Sequence, residues 1–204
     1  MNSSETPPPA EDSSPGALEA ARREKMRRLV ELGVDPWGSR FDDHASIGSL
    51  RERAGEVIWQ TAEGSSIPLP DFSGPEPLDY RAWKSQQPAG EETGPRVRAA
   101  GRIMLQRPTG KLVFVNIEDW TGGIQLFIGK NQVDPASWEI ARCFDLGDLI
   151  GVDGRLGRTN TGELTIFAEQ LHFLGKAIDP PPEKHDGLIH PEMRQRTRYV
   201  DFND

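Results

Sequence analysis

An aromatic ring, an amide and two guanidinium groups fall on neighbouring predicted strands within residues 97–128. Phe114 offers a ring on which a base can stack, and Gln125 offers an amide that can read the edge of a base. Arg102 and Arg107 lie on the preceding strand, within reach of phosphates or base acceptors. This set of residue types suits the binding of single-stranded nucleic acid. The alternative is that an outward ring and amide on a hairpin are ordinary surface residues.

Alternation with a period of two places Phe114 and Gln125 on the same side of the predicted sheet. Every second residue of the second and third strands is apolar, and Phe127 shares the opposite face with the ring and the amide. The apolar positions are Val113, Val115, Ile117, Ile124, Leu126 and Ile128. We therefore expect one face that belongs to a core and a second face that carries the chemistry.

Further elements complete a recognisable plan. A helix is predicted over residues 135–144, and strands are predicted over 149–156 and 164–174. Five strands with a helix between the third and the fourth, preceded by an N-terminal helix, predict a mainly β chain built on an OB-fold barrel. That fold commonly binds oligonucleotides across its second and third strands. Arg107, at the end of the first strand, and Glu163, beside the last hairpin, would rim this face.

Composition divides the chain into five segments. Residues 1–14 are rich in Pro and Ser and are expected to be a disordered arm. Residues 15–54 are expected to be helical, and residues 55–95 form a Gly/Pro-rich loop or insertion of low order. The OB-fold domain is expected over 96–176. Residues 177–204 are expected to be a linker.

The helical segment carries a cluster of basic residues that includes Arg22, Arg23 and Arg27. One interpretation is a solvated helix surface, on which such charges commonly lie. The other is contact with the phosphates of an RNA, for which Arg102 on the first strand is a further candidate.

The net charge of −8 is unevenly distributed along the chain. Residues 96–176 hold ten basic and nine acidic side chains, whereas the flanking segments hold the excess of acid. A nearly neutral barrel does not attract nucleic acid by bulk charge, although it can bind at a defined place. The charge pattern therefore argues against a protein that coats nucleic acid without specificity.

The sequence contains no apolar run of the length of a membrane span, and its start lacks the pattern of a signal peptide. We therefore expect a cytoplasmic location. The single cysteine, Cys143, forms no internal disulfide and fits a reducing compartment. The four histidines have no ligand spacing relative to it, so no metal site is expected.

Five stretches resemble, in order, the N-terminal part of a bacterial class II lysyl-tRNA synthetase. They are RREKMRRLVELGVDPWGSRF, VRAAGRIMLQRPTGKLVFVNIED, GGIQLFI, FDLGDLIGVDGRLGRTNTGEL and PPEKHDGLIHPEMRQRTRYVDF. The resemblance covers about residues 21–52 and 96–203, and it leaves the first arm and the Gly/Pro-rich middle unmatched.

In the family that the chain resembles, this domain binds the anticodon of tRNA(Lys). By position in the motifs, the resemblance implies that Phe114 stacks on the central uridine and that Gln125 reads its edge. It also implies that Arg107 contacts the same base and that Glu163 addresses the third anticodon position.

The resemblance further implies a lysine–tRNA ligase that uses ATP and Mg²⁺ and is a homodimer in its full-length form. The chain stops at Asp204, where the resemblance places the approach to the catalytic domain. We therefore expect a fragment or truncated product that binds tRNA, holds no cofactor and is inactive alone. The alternatives are a free-standing OB-fold binder of single-stranded nucleic acid or protein and, third, an enzyme in its own right.

Overall fold

The structure is a computed structural model, and it describes residues 15–70, 72 and 78–179. The expected disordered arm over 1–14 and the expected linker beyond residue 179 lie outside these described residues. Among the described helices, none combines the length and apolar character needed to cross a membrane.

The described elements occur in the following order. They are α1 (Pro15–Glu31), α2 (Ile47–Glu52), a 3-10 turn (Arg53–Glu56), β1 (Ile58–Thr61), β2 (Ser66–Pro68), α3 (Tyr80–Ser85), β3 (Gly90–Thr93), β4 (Arg96–Thr109), β5 (Leu112–Asp119), β6 (Gly122–Gly129), α4 (Pro135–Ala141), β7 (Leu149–Arg158) and β8 (Leu164–Gly175).

Strands β4 to β8 form a closed barrel in the order β4-β5-β6-β8-β7. All neighbouring barrel strands run antiparallel except β6 and β8, which run parallel. β4 pairs with both β5 and β7, so the sheet closes on itself without a free edge. Helix α4 lies between the third and the fourth barrel strand, and α1 precedes the barrel. The predicted mainly β OB-fold is confirmed.

The core lies inside the barrel because side chains alternate between its two faces. Along β5, Val113, Val115 and Ile117 are buried, whereas Phe114 and Asn116 between them are only half-buried. Strand β6 repeats the pattern. This confirms the predicted separation of an apolar face, which belongs to the core, from the opposite face, which carries Phe114 and Gln125.

In its described part, the inserted segment (residues 58–93) is a small sheet with a helix, which differs from the expected loop of low order. β1 pairs with β2 and with β3, and α3 lies between β2 and β3 in the chain. Trp59, Phe72, Tyr80 and Trp83 contact one another at ring-centroid distances of 5.1 to 6.4 Å. These strands have only three or four residues, which is too short for a clear period of two in the sequence.

A buried lysine links the segment after β8 to the turn before β7. Lys176 is wholly buried, and its Nζ donates to the Asp148 carboxylate at 2.8 Å and to the Asp145 carboxylate at 2.6 Å. Asp148 also accepts the backbone N–H of Ala177 at 2.9 Å. Burial raises the pKa of Asp148, and the hydrogen bond from Lys176 opposes this effect. The ion pair therefore holds both ends of the β7–β8 hairpin at the base of the barrel.

Helix α1 is fixed to this same turn. Arg22 donates to the carbonyl oxygens of Leu146 and Ala177 at 2.9 and 2.8 Å, and Lys25 donates to Asp145 at 2.6 Å. Leu29 of the helix is fully buried in the core. The N-terminal helix is thus bound to the barrel by buried polar contacts as well as by apolar packing.

We expect Lys176→Met to lower the free energy of unfolding by about 3 to 5 kcal/mol, because it leaves the buried Asp148 carboxylate without its cation. The measurement is urea unfolding at neutral pH. Arg23→Met is the control, since it breaks the exposed pair with Glu19 and should cost less than about 1 kcal/mol.

The loss caused by Lys176→Met should become smaller as the pH falls. Burial raises the pKa of Asp148, so a folded variant without the lysine binds a proton more readily than its unfolded chain. Equal small losses for the lysine and arginine variants would show that the buried pair contributes little.

Candidate nucleic-acid interface

Three phenylalanines form a continuous row across the outer surface of the barrel. Phe114 on β5 lies opposite Phe127 on β6, which lies opposite Phe167 on β8. Ring centroids are 5.2 Å apart in each pair, with interplanar angles of 82° and 39°. All three side chains are half-buried. This aromatic row presents ring surface on which nucleic-acid bases can stack.

An arginine lies at each end of the aromatic row. Arg107 on β4 is opposite Phe114, and Arg155 on β7 is opposite Phe167. Residues directly opposite on neighbouring strands point to the same face of a sheet. Both arginines are exposed, and Arg155 also contacts Glu169 at 3.2 Å. The row is therefore flanked by cations that can contact phosphates or base acceptors.

A polar row lies two residues along the strands from the aromatic row. Asn116 on β5 is opposite Gln125 on β6, and Gln125 is opposite Thr165 on β8. Thr165 is fully buried, and its hydroxyl donates to Gln125 Oε1 at 3.1 Å. The amide of Gln125 is thus held beside the rings by a neighbouring strand.

The hydrogen bond from Thr165 sets the direction of the Gln125 amide. Because Oε1 accepts from the threonine hydroxyl, the Nε2 end of the amide points away from Thr165. The same hydroxyl lies 3.0 Å from the backbone carbonyl of Glu163, and its single proton serves one of these two acceptors at a time. In this arrangement Nε2 is the end of the Gln125 amide that is not bound to Thr165.

Glu163 lies at the edge of the polar row, on the hairpin between β7 and β8. Its side chain is exposed, and its backbone carbonyl accepts the N–H of Thr159 at 3.0 Å. Gly162 before it has a φ of +83°, a conformation that favours glycine. The structure therefore places Arg107, Phe114, Gln125 and Glu163 around one surface, as the sequence predicted. Their contact with RNA stays a prediction.

The structure places Arg22 and Arg102 differently from the phosphate contacts expected of them. Arg22 is only 7% exposed, and its guanidinium donates to two backbone carbonyls, so it offers little surface to a phosphate. Arg102 is exposed, but it lies towards the other end of β4 from Arg107, opposite Glu118, and donates to the carbonyl of Gly147 at 2.7 Å. This placement corrects the predicted phosphate contact of Arg22, because its side chain anchors α1 to the barrel.

Two other candidate arginines remain on the surface of α1. Arg23 pairs with Glu19 at 2.6 Å, and Arg27 pairs with Glu24 at 2.7 Å. Both are exposed and bound to neighbouring carboxylates of their own helix, an arrangement typical of a solvated helix surface. Neither contact tests the predicted interaction with RNA.

Sequence reasoning missed Phe167 as a member of this surface and the buried Thr165 as the residue that contacts Gln125. Both are brought beside β6 by the parallel pairing of β6 with β8, which joins residues 40 positions apart, such as Gln125 and Thr165. The available signal was the spacing of two between Thr165 and Phe167, read together with the strand order of an OB barrel.

The described residues contain no group of three or more His, Cys, Asp or Glu side chains able to hold a metal ion. The side chains present on this surface offer stacking, hydrogen bonding and cationic contact. The barrel order, the two rows and the hairpin beside them define an OB-fold nucleic-acid-binding domain.

Comparison with known proteins agrees with this assignment. Residues 97–174 match the family tRNA_anti-codon, described as an OB-fold nucleic acid binding domain. The chain is 38% identical over 181 residues to the lysine–tRNA ligase of Streptococcus suis. It is 32% identical over 181 residues to the lysine–tRNA ligase of Staphylococcus aureus. The sequence thus matches an anticodon-binding region of lysyl-tRNA synthetases.

These matches cover a larger share of this chain than of the relatives. Each match covers 89% of this chain but only 31% of the relative. The chain therefore spans about a third of the length of the curated relatives it matches.

We expect Thr165→Val to release the Gln125 amide without unfolding the barrel, because valine keeps the shape of threonine and lacks the hydroxyl. The measurement is ¹⁵N relaxation of the Gln125 side-chain amide, whose order parameter should fall below about 0.6. Thr165→Ser, which retains the hydroxyl, should stay near the parent. An unchanged order parameter in the valine variant would show that the amide is held by other contacts.

Proposed function

We propose that this chain binds the anticodon loop of tRNA(Lys) and selects it for lysyl-tRNA synthesis. One observation carries the proposal: an outward ring, Phe114, and an oriented amide, Gln125, lie on adjacent strands of an OB barrel. A base that stacks on the ring brings its edge towards the amide, which is the arrangement used to read single-stranded RNA.

Phe114 has the role of a stacking platform for the central anticodon base. Its ring stands at 82° to that of Phe127, and an edge contact covers less ring face than an offset stack. The half-buried position holds the ring in one orientation while part of it remains accessible. Arg107, opposite Phe114, supplies a cation to the same base.

Gln125 has the role of distinguishing uridine from cytidine at the central position. Lysine codons begin with two adenosines, which pair with uridines at the central and third anticodon positions. Uridine has a carbonyl oxygen where cytidine has an amino group, so an Nε2 donor turned towards the base favours uridine. A donor facing an amino group leaves both unpaired, which disfavours cytidine.

Glu163 has the role of an acceptor at the third anticodon base. An ionised carboxylate only accepts hydrogen bonds, so it favours a base edge that presents an N–H group, as uridine does at N3. Its carbonyl shares the Thr165 hydroxyl with Gln125, which keeps the two readers close. Recognition itself needs no cofactor, and we assign ATP and Mg²⁺ to the ligation reaction expected of a full-length enzyme.

We expect Phe114→Ala to weaken binding of a tRNA(Lys) anticodon stem-loop by about 1 to 3 kcal/mol, because one base-aromatic stack is lost. Fluorescence anisotropy titration measures the change. Trp120→Ala is the matched control, since this ring is 83% exposed in the β5–β6 turn, away from the aromatic row. Equal affinities of the Phe114 variant and the parent would contradict stacking on this ring.

We expect Gln125→Ala to reduce discrimination between uridine and cytidine at the central position by about 1 to 3 kcal/mol, and total affinity by less. Competition between stem-loops that differ only at this base measures it. Gln170→Ala, which removes an exposed amide elsewhere on β8, is the control. If the parent binds both loops equally, the chain binds single strands without reading the anticodon, and the alternative OB-fold function gains support.

A further inference from the structure

The inserted segment is attached to the hairpin that carries Glu163. Glu92 on β3 accepts the backbone N–H of Arg158 at 2.5 Å, at the point where β7 ends. The hydroxyl of Tyr80, the first residue of α3, donates to the other oxygen of the same carboxylate. The Glu92 side chain therefore joins a strand and a helix of the inserted segment to the end of β7, where the turn of the β7–β8 hairpin begins.

A second contact lies near the tip of the hairpin. A Cβ atom placed on Gly162 would lie 3.4 Å from the Cβ atoms of Phe72 and Tyr80, so the backbone of the hairpin packs directly on these two residues. The Arg158 guanidinium lies 5.2 Å from the centre of the Phe72 ring and donates to the carbonyl of Gly162 at 2.7 Å. The turn of the hairpin is thus held at its start by the Glu92 carboxylate and near its tip by aromatic residues.

Both contacts are partly shielded from water. Tyr80 and Phe72 are buried, and burial raises the pKa of the Glu92 carboxyl, against the lowering effect of the Arg158 N–H. Hydrogen bonds in such surroundings are stronger than those at an exposed surface, and leaving one of their partners unpaired is costly. The attachment is therefore suited to holding the hairpin in one place.

We infer that the inserted segment determines specificity at the third anticodon base by positioning Glu163, with Glu92 and Tyr80 as the positioning residues. The inference rests on the proposed anticodon function. Glu163 follows Gly162 directly, so contacts at residues 158 and 162 hold the backbone from which its side chain extends beside the polar row. An acceptor that is already in place loses less entropy on binding than one on a free hairpin.

The test uses the 204-residue chain and three stem-loops: the tRNA(Lys) loop, a loop with adenosine at the third anticodon position, and a loop with cytidine at the central position. Adenosine lacks the N–H that uridine presents at N3. Glu92→Ala should reduce discrimination at the third position roughly tenfold, a change within the range for loss of one base contact. Discrimination at the central position should stay at the level of the parent.

Two variants separate positioning from a general loss of structure. Glu92→Gln should keep discrimination near that of the parent, because its oxygen can accept from Arg158 and its amide can donate to Tyr80. Glu91→Ala is the matched control, since it removes a neighbouring exposed glutamate from the same strand. Urea unfolding of every variant checks that the fold is retained.

Tyr80→Phe keeps the test decisive if Glu92→Ala does not fold. It removes only the hydroxyl that donates to Glu92 and keeps the ring near Gly162. A smaller loss with the same restriction to the third position is expected.

Three results would overturn the inference. They are unchanged third-position discrimination in folded Glu92→Ala and Tyr80→Phe, an equal loss at both positions, or a parent that reads the central base but not the third. A parent that discriminates at neither position would instead overturn the proposed anticodon function.

Discussion

The recognition surface depends on a short seam of parallel pairing between β6 and β8. Only three residue pairs form it: Gln125 with Thr165, Leu126 with Ile166, and Phe127 with Phe167. The pair of Leu126 with Ile166 is buried in the core. The pair of Gln125 with Thr165 belongs to the polar row, and the pair of Phe127 with Phe167 belongs to the aromatic row. One of the strand pairings of the barrel therefore also assembles the surface. A slip of β8 by one residue at the seam would turn Thr165 and Phe167 towards the core.

Local periodicity in the sequence predicted the features that lie within single strands. It did not predict the contacts between strands that are distant in the chain. Alternation along β5 and β6 separated Phe114 and Gln125 from the core, and the number and order of elements indicated the OB-fold. Thr165 and Phe167 were missed because the residues they pair with lie about 40 residues earlier in the chain, so only the strand order of an OB barrel connects them. The orientation of the Gln125 amide is likewise a property of the seam.

Charge and composition were weaker guides than periodicity. Arg22 belongs to a basic cluster that suggests contact with RNA, yet its guanidinium is buried against carbonyl groups that no helical pattern reveals. The high Gly and Pro content of residues 55–95 predicted low order, although Trp59, Phe72, Tyr80 and Trp83 build a small aromatic cluster there. Aromatic residues scattered through a Gly/Pro-rich stretch thus indicated packing that its composition concealed.

The seam also bears on the order in which the molecule folds. The hairpins β4–β5, β5–β6 and β7–β8 each join strands that follow one another in the chain, whereas the seam joins strands separated by α4 and β7. Closing a longer loop costs more chain entropy, so we expect the hairpins to form before the seam. On a ribosome, the surface that reads RNA cannot be completed until β8 has been synthesised.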